Sequence, residues 1–290
     1  IRDRSPSRGL GDVYKRQCVL RGVCGKKDTT ARYMDLLLFV VRGVSVAADA
    51  LRTKGHEVEA GTNEFVTDAL FSTITNANFD DESILARVRK GLELRDHLKA
   101  RAVKAGIVLP EADELTWNGK EGEYLAKSAS VGVLREPNED LRSLKELLMY
   151  GLKGMAAYHE HAMRLGFADE AIHAFMQSAL ARITTQTMGA DELVALVLET
   201  GQHGVQVMAL LDRANTTRYG HPELTKVNIG VGKNPGILIS GHDLHDLEEL
   251  LRQTEGTGVD VYTHSEMLPG HYYPCLLYTS PSPRDGLLSR

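Results

Sequence analysis

The sequence predicts a multi-domain protein, α followed by α/β: N-terminal helical bundles, then the first βαβ unit of a truncated parallel-sheet, Rossmann-like domain. Three observations predict it. From Thr30 to about Tyr219, apolar residues recur at spacings of three and four. From Thr225 the pattern switches to strand, helix, strand. The predicted helices are long and joined by short turns, which places neighbours antiparallel.

The elements follow in order. Ala31–Lys54 sets Met34, Leu37, Leu38, Val41, Val44, Ala48 and Leu51 on one stripe, and Gly55 closes it as a C′ residue. Asn63 or Thr67 is expected to cap a second helix running through Ala77. Asp80 and Asp81 open a third, which runs to about Gly106 with Leu85, Val88, Leu92 and Leu94 inward. Pro110 and the polar stretch Glu111–Glu121 read as a surface loop. Asn138–Gly166 is a long helix carrying Leu141, Leu144, Leu147, Leu148, Leu152 and Met155 at helical spacing. Asp169–Ile183 and Ala190–Ala214 add two more, and Tyr219-Gly220-His221-Pro222 ends the bundle. Lys226–Val231 and Gly236–Ser240 read as strands, His242–Glu255 as a helix ended by Gly256 and Gly258, and Val259–Thr263 as the next strand. A sheet cut after one unit leaves apolar edges bare, so the α/β domain is expected to continue in a longer protein.

The two ends differ from everything between them. Residues 1–17 and 275–290 are rich in Arg, Ser, Pro and Gly, lack periodicity, and each carries Ser-Pro-Ser. They read as translated adapter sequence, with genuine disordered tails as the alternative. The expected division is therefore a tail at 1–17, a cysteine-containing cluster loop at 18–30, a helical bundle domain at 31–222, the start of an α/β domain at 223–274, and a second tail at 275–290.

Composition narrows the function classes. A chain of 290 residues, 42% hydrophobic and 25% charged, has the mix of a soluble globular protein. A net charge of −5 without a Lys/Arg cluster argues against a nucleic-acid surface. The longest apolar run, Leu36 to Val41, is too short to cross a bilayer. Three cysteines are too few for a disulfide framework and favour a reducing compartment.

Four residues could carry metal chemistry. Cys18 and Cys24 stand six positions apart beside Gly22 and Gly25, and thiolates are the ligands of iron–sulfur clusters. Their spacing alone favours two buried thiols. His242 follows the strand Gly236–Ser240, and Glu266 follows the strand Val259–Thr263. Ligands of open α/β sheets bind at the carboxyl ends of strands. Adjacent strands stand about 4.8 Å apart, so loops from one edge can bring an imidazole and a carboxylate onto one metal. Taken singly, the two are a helix-start residue and a surface carboxylate. Other candidates weaken. His159-Glu160-His161 puts two histidines at i and i+2, on different helix faces, and His242 and His245 lack further ligands nearby. Gly230-Val231-Gly232-Lys233 lacks the full phosphate-loop spacing.

Several stretches together resemble the hybrid-cluster protein family: Gly22 to Lys26, Thr73 to Asp80, Tyr150 to Gly154, Asn228 to Leu244 and Gln253 to Pro269. The likeness runs from about Cys18 to Pro274 and covers about the first half of the family's chain. It implies three-helix bundles followed by two α/β domains in the cytoplasm. It implies that Cys18 and Cys24 are the distant pair of four cysteines holding a 4Fe-4S cluster, the other two lying upstream, where this sequence has its first odd end. It further implies that His242 and Glu266 hold iron of a hybrid 4Fe-2O-2S cluster, whose remaining ligands (cysteines, a Glu and a Lys) lie downstream. The activity implied is the two-electron reduction of hydroxylamine to ammonia and water, with nitric oxide reduction also ascribed to the family, and with electrons from a redox partner reductase. Two other readings stay open: an iron–sulfur enzyme related to carbon monoxide dehydrogenase, and a non-enzymatic helical electron-transfer or interaction module.

Overall fold

The computed structural model describes residues 25–75, 78–227 and 229–278. Cys18 and Cys24, with most of the expected cluster loop, lie outside the described residues. The chain divides into two compact units: residues up to Ala157 with Glu170–Gly204, and Tyr158–Asp169 with Val205 onward.

The first unit is helical and built around α1, Asp28–Thr53. A single apolar stripe was the expectation, but Leu36, Phe39, Val40 and Val46 are also buried, while Leu38 is only half-buried. A helix whose buried surface extends this far beyond one stripe needs neighbours on several sides. The elements α2 (Ala60–Ile74), α3 (Asp81–Lys104), α5 (Tyr124–Val131) and α7 (Glu170–Thr185) all pack on α1. Gly55 stops it with φ 79°.

Two expectations fail in this unit. Asn63 and Thr67 do not cap α2, which starts at Ala60 with Glu59 before it. Both are buried inside the helix. The Asn63 amide oxygen accepts from Arg52 Nη2 at 2.7 Å and from Gln177 Nε2 at 2.9 Å, and its Nδ2 donates to Glu170 at 2.7 Å. A buried side-chain amide needs such partners, and α1 and α7 supply them. The expected loop Glu111–Glu121 contains a short helix, α4 (Asp113–Thr116), and the start of a 3-10 turn, Glu121–Glu123. The fully buried Arg95 of α3 ties this stretch down, donating to the carbonyls of Glu114 at 3.2 Å and Trp117 at 2.6 Å. Glu114 is buried too and pairs with Arg135 at 2.6 Å. By contrast Asp80 does cap α3, accepting from the Glu82 N–H at 3.0 Å.

Two helices follow the expected course with longer or shifted detail. Asn138 caps α6, Glu139–Arg164, through Asp140 N and Leu141 N. Leu147, expected inward, is exposed, and Met149 is buried in its place. The next long helix, α8, spans Ala190–Tyr219, five residues beyond the expected end. By length and composition alone it is the one described helix able to cross a bilayer. Its Leu193, Leu196, Val207, Leu210 and Ala214 are buried inside the protein.

The second unit contains the α/β element. Strands β1 (Gly236–Ser240) and β2 (Asp260–His264) pair in parallel, joined through α9, Leu244–Thr254. The segment Lys226–Val231 forms no strand among its described residues. Ile229 and Val231 are 98% and 84% exposed, so the segment has neither a neighbouring ladder nor a face to bury, and a strand needs both. Tyr219, Leu244, Leu247, Val261, Met267, Tyr273 and Leu276 form the core, with Leu165, Ile239, Leu250 and Leu251 around it. Leu276 lies in α10, Pro274–Tyr278, so the first residues of the expected C-terminal tail are part of the fold. Cys275 is exposed on that helix.

One position separates close packing from mere helix propensity. A Cβ on Gly43 of α1 would run into the Glu114 carbonyl, while one on Gly61 of α2 meets nothing within 4 Å. Gly43→Ala is therefore expected to lower stability by about 1–3 kcal/mol, and Gly61→Ala to cost nothing. Urea unfolding of both variants checks this, and equal midpoints would contradict it.

Candidate metal centre

The two strands pair without a bulge from Gly236↔Asp260 to Ser240↔His264, a constant offset of 24 positions. His242 and Glu266 keep that offset, each two residues past its own strand. Parallel strands end on one edge, so both loops leave the same rim. The structure thus brings together the two residues that the sequence set 24 apart. Both are exposed.

Local geometry holds each one differently. After β2 the chain turns through Ser265, whose φ of 54° is the left-handed conformation that non-glycine residues rarely adopt. It then enters the 3-10 turn Ser265–His271. The hydrogen bond from the Ser265 side chain, then that from its own backbone N–H, hold the Glu266 carboxyl below the usual carboxylate range. The charges of His242 and His264 add to this. After β1 the chain passes Gly241, at φ 117°, and the His242 ring meets the edge of the Tyr158 ring, centroids 6.4 Å apart at 79°.

The residue after His242 is the best-anchored group of the loop. Asp243 is buried and caps α9, accepting from the His245 N–H at 2.9 Å. Arg164 Nη1 lies 3.2 Å and His161 Nδ1 3.5 Å from its Oδ2. Burial raises the Asp243 carboxyl above its ordinary range, against the pull of His161. Glu160, His161 and Asp243 offer ligand atoms within 4.8 Å of one another. Arg164 bonds to Glu160 at 2.5 Å as well as to Asp243, so a guanidinium already supplies the cation among them. Spacing alone excludes His161 from a zinc pair and gives Asp243 no role; the one local signal for Asp243 is its place as an N-cap directly after a candidate ligand.

The remaining candidates go elsewhere. His159 is fully buried, and its Nε2 accepts from the Asp169 N–H at 3.3 Å, so it serves the turn after α6. His245 faces Glu248 at 3.4 Å. Gly232 donates its N–H to the Tyr262 hydroxyl at 2.8 Å, as part of a turn.

An imidazole nitrogen and a carboxylate suit iron, and two such donors on one rim fit two positions of a larger coordination set. They do not close one, since iron needs further ligands. Cys18 and Cys24 lie outside the described residues.

The family model described as Prismane/CO dehydrogenase matches residues 14–281. The chain is 59% identical over 260 residues to a hydroxylamine reductase of Desulfitobacterium hafniense and 58% identical over 259 residues to one of Bacteroides thetaiotaomicron. A hydroxylamine reductase of Clostridium botulinum is 51% identical over 285 residues. Each match covers 89% of this chain but only 47–50% of the relative, so the chain spans about half the length of the curated relatives it matches.

Burial of His159 generates a pH prediction. It pushes the imidazole down from 6.5 to about 4. Between those values the unfolded chain takes up a proton that the folded chain refuses, so stability falls as pH drops through the window. His159→Gln should flatten this acid slope by up to about 1.4 kcal/mol per pH unit. Urea midpoints measured from pH 7 to 4 check it, and identical slopes would contradict it.

Proposed function

The chain belongs to the Prismane/CO dehydrogenase family, and from that premise we propose that it is the N-terminal portion of an iron–sulfur oxidoreductase reducing hydroxylamine to ammonia and water. The observation that carries the reading is the in-register exit of His242 and Glu266 from one sheet edge. The relatives' shared name, hydroxylamine reductase, favours this reaction within the family.

In this reading His242 Nδ1 or Nε2 and the Glu266 carboxylate are two ligands of a hybrid 4Fe-2O-2S cluster. Cysteines, a further Glu and a Lys come from the half of the relatives that this chain does not span. Cys18 and Cys24, with two more cysteines, would hold a 4Fe-4S cluster, which would supply electron transfer from a redox partner reductase. When bound, the hybrid cluster supplies electrons and a Lewis-acidic iron for cleaving an N–O bond. The balance is hydroxylamine plus two electrons and two protons, giving ammonia and water. Nitric oxide reduction, which the family resemblance also implies, is a separate reaction with its own electron balance.

The chain's own residues prepare the ligands. The Ser265 side-chain and backbone hydrogen bonds favour the ionised form of Glu266, the form in which a carboxylate binds a metal. Mixed N, O and S donors leave the iron less electron-rich than thiolates alone, which favours a small hard ligand. The protein acts in the cytoplasm, without nucleic acid or membrane, consistent with its net charge of −5 and its three cysteines.

Two outcomes follow. In the full-length protein carrying this segment, His242→Ala or Glu266→Ala should abolish the hybrid centre's paramagnetic resonance signal and hydroxylamine turnover, while the signal of the N-terminal cluster persists. Unchanged spectra in both variants would remove the assignment. The 290-residue chain alone, reconstituted with iron and sulfide, should show no hydroxylamine-dependent oxidation of a reduced viologen dye, and turnover would contradict the ligand inventory.

A further inference from the structure

Three side chains on the last turns of α6, Tyr158, His161 and Arg164, stand three residues apart and so share a face of the helix. All three meet the two residues that follow Gly241. The Tyr158 ring meets His242 edge-on at 6.4 Å, and His161 and Arg164 meet Asp243 at 3.5 and 3.2 Å. Arg164 also reaches Asp246 at 3.1 Å, on the first turn of α9. Glu160 closes the set, bonding to His161 at 3.2 Å and to Arg164 at 2.5 Å. The other oxygen of Asp243 accepts the His245 N–H. The Asp243 side chain is 7% exposed and that of His161 10%, so the pair is shielded from water.

This arrangement answers a mechanical need. A metal–imidazole bond requires the ring within about 0.5 Å and 10–20° of its productive position. His242 is exposed and follows Gly241, at φ 117°, a residue whose backbone has no Cβ to restrict it. The chain before His242 therefore sets the ring only loosely. Asp243, one peptide further on, is fixed at both carboxylate oxygens. Arg164 already provides the positive charge among the carboxylates, so the cluster acts as an anchor and not as a second metal site.

We propose that Asp243, clamped by His161 and Arg164, is a positioning residue for the His242 imidazole, and that the Tyr158 ring fixes the plane of that imidazole. The proposal rests on the reading of His242 as an iron ligand. Its role is indirect: neither Asp243 nor Tyr158 touches iron or substrate.

The test uses the full-length holoprotein, with paramagnetic resonance of both clusters, iron content and hydroxylamine turnover measured together. Asp243→Asn keeps a capping side chain but loses the charge that His161 and Arg164 hold, so it should fold. The expected result is a displaced or broadened hybrid-centre signal and about a ten-fold fall in turnover, with the N-terminal cluster signal unaltered. Tyr158→Leu should displace the same signal, and Tyr158→Phe, which keeps the ring, should restore it. His242→Ala serves as the reference. If it removes the hybrid signal while Asp243→Asn and Tyr158→Leu leave that signal as in the parent, the positioning role is overturned and the ligand assignment stands. If His242→Ala itself leaves the signal intact, the ligand assignment falls and the positioning role with it. Equal loss of both cluster signals in Asp243→Asn, with earlier unfolding, also overturns the proposal, because that pattern marks a merely structural residue.

Discussion

The parallel pairing of β1 with β2 is the constraint on which the candidate centre depends. Five residues on each strand pair with a fixed offset, and the crossover through α9 returns the chain in the same direction. Two loops separated by two dozen residues consequently begin at one edge. Had the strands run antiparallel, His242 and Glu266 would leave opposite ends and could not share an ion. A slip of one residue would also matter, since it turns every side chain of a strand to the other face. The register is set from beneath by Val261 and Ile239, packed with Leu244 and Leu247 of α9 and Met267 of the following turn. The functional geometry is thus a by-product of apolar packing in a small core.

The helical unit shows the same economy with polar groups. Its central helix buries residues well beyond a single stripe, so neighbours pack on several of its sides, and polar residues are drawn inward with them. Arg95 satisfies carbonyls of the stretch after α3, and Asn63 links α1 to α7 through Arg52 and Gln177. Arg95 and Asn63 have these partners because an unpaired buried group costs more than its packing returns. In the second unit Asp243 follows this rule too: its partners both satisfy a buried carboxylate and hold the loop next to a candidate ligand.

Much of this was legible in the residues. The long helices, the helix starts at Asp80 and Asn138, the switch to α/β and the strand–helix–strand order of Gly236–Ser240 and Val259–Thr263 follow from periodicity and turn chemistry. So does the placement of His242 and Glu266 at strand ends. What failed did so for identifiable reasons. Asn63 and Thr67 look like caps because their side chains suit caps, yet partners from α1 and α7 made burial available to Asn63. Glu111–Glu121 looks like a loop because it is polar, yet Arg95 lies about 20 residues before its anchor points. Lys226–Val231 has strand composition, but composition does not provide a neighbour to pair with.

The sequence by itself determined most of the order of elements, the resemblance of the chain to an iron–sulfur lineage through its motifs, and the choice of His242 and Glu266 as candidate donors. Those properties are local: helix period, caps, strand runs and short motifs are written within a few residues of one another. Only the tertiary structure decided that Tyr158 borders His242, and that His161 and Arg164 hold Asp243. These contacts join residues some 80 positions apart, and no local rule encodes a distance across that span. They exist because burying apolar faces in one core brings the end of α6 and the start of α9 together, and side chains already present there then find partners.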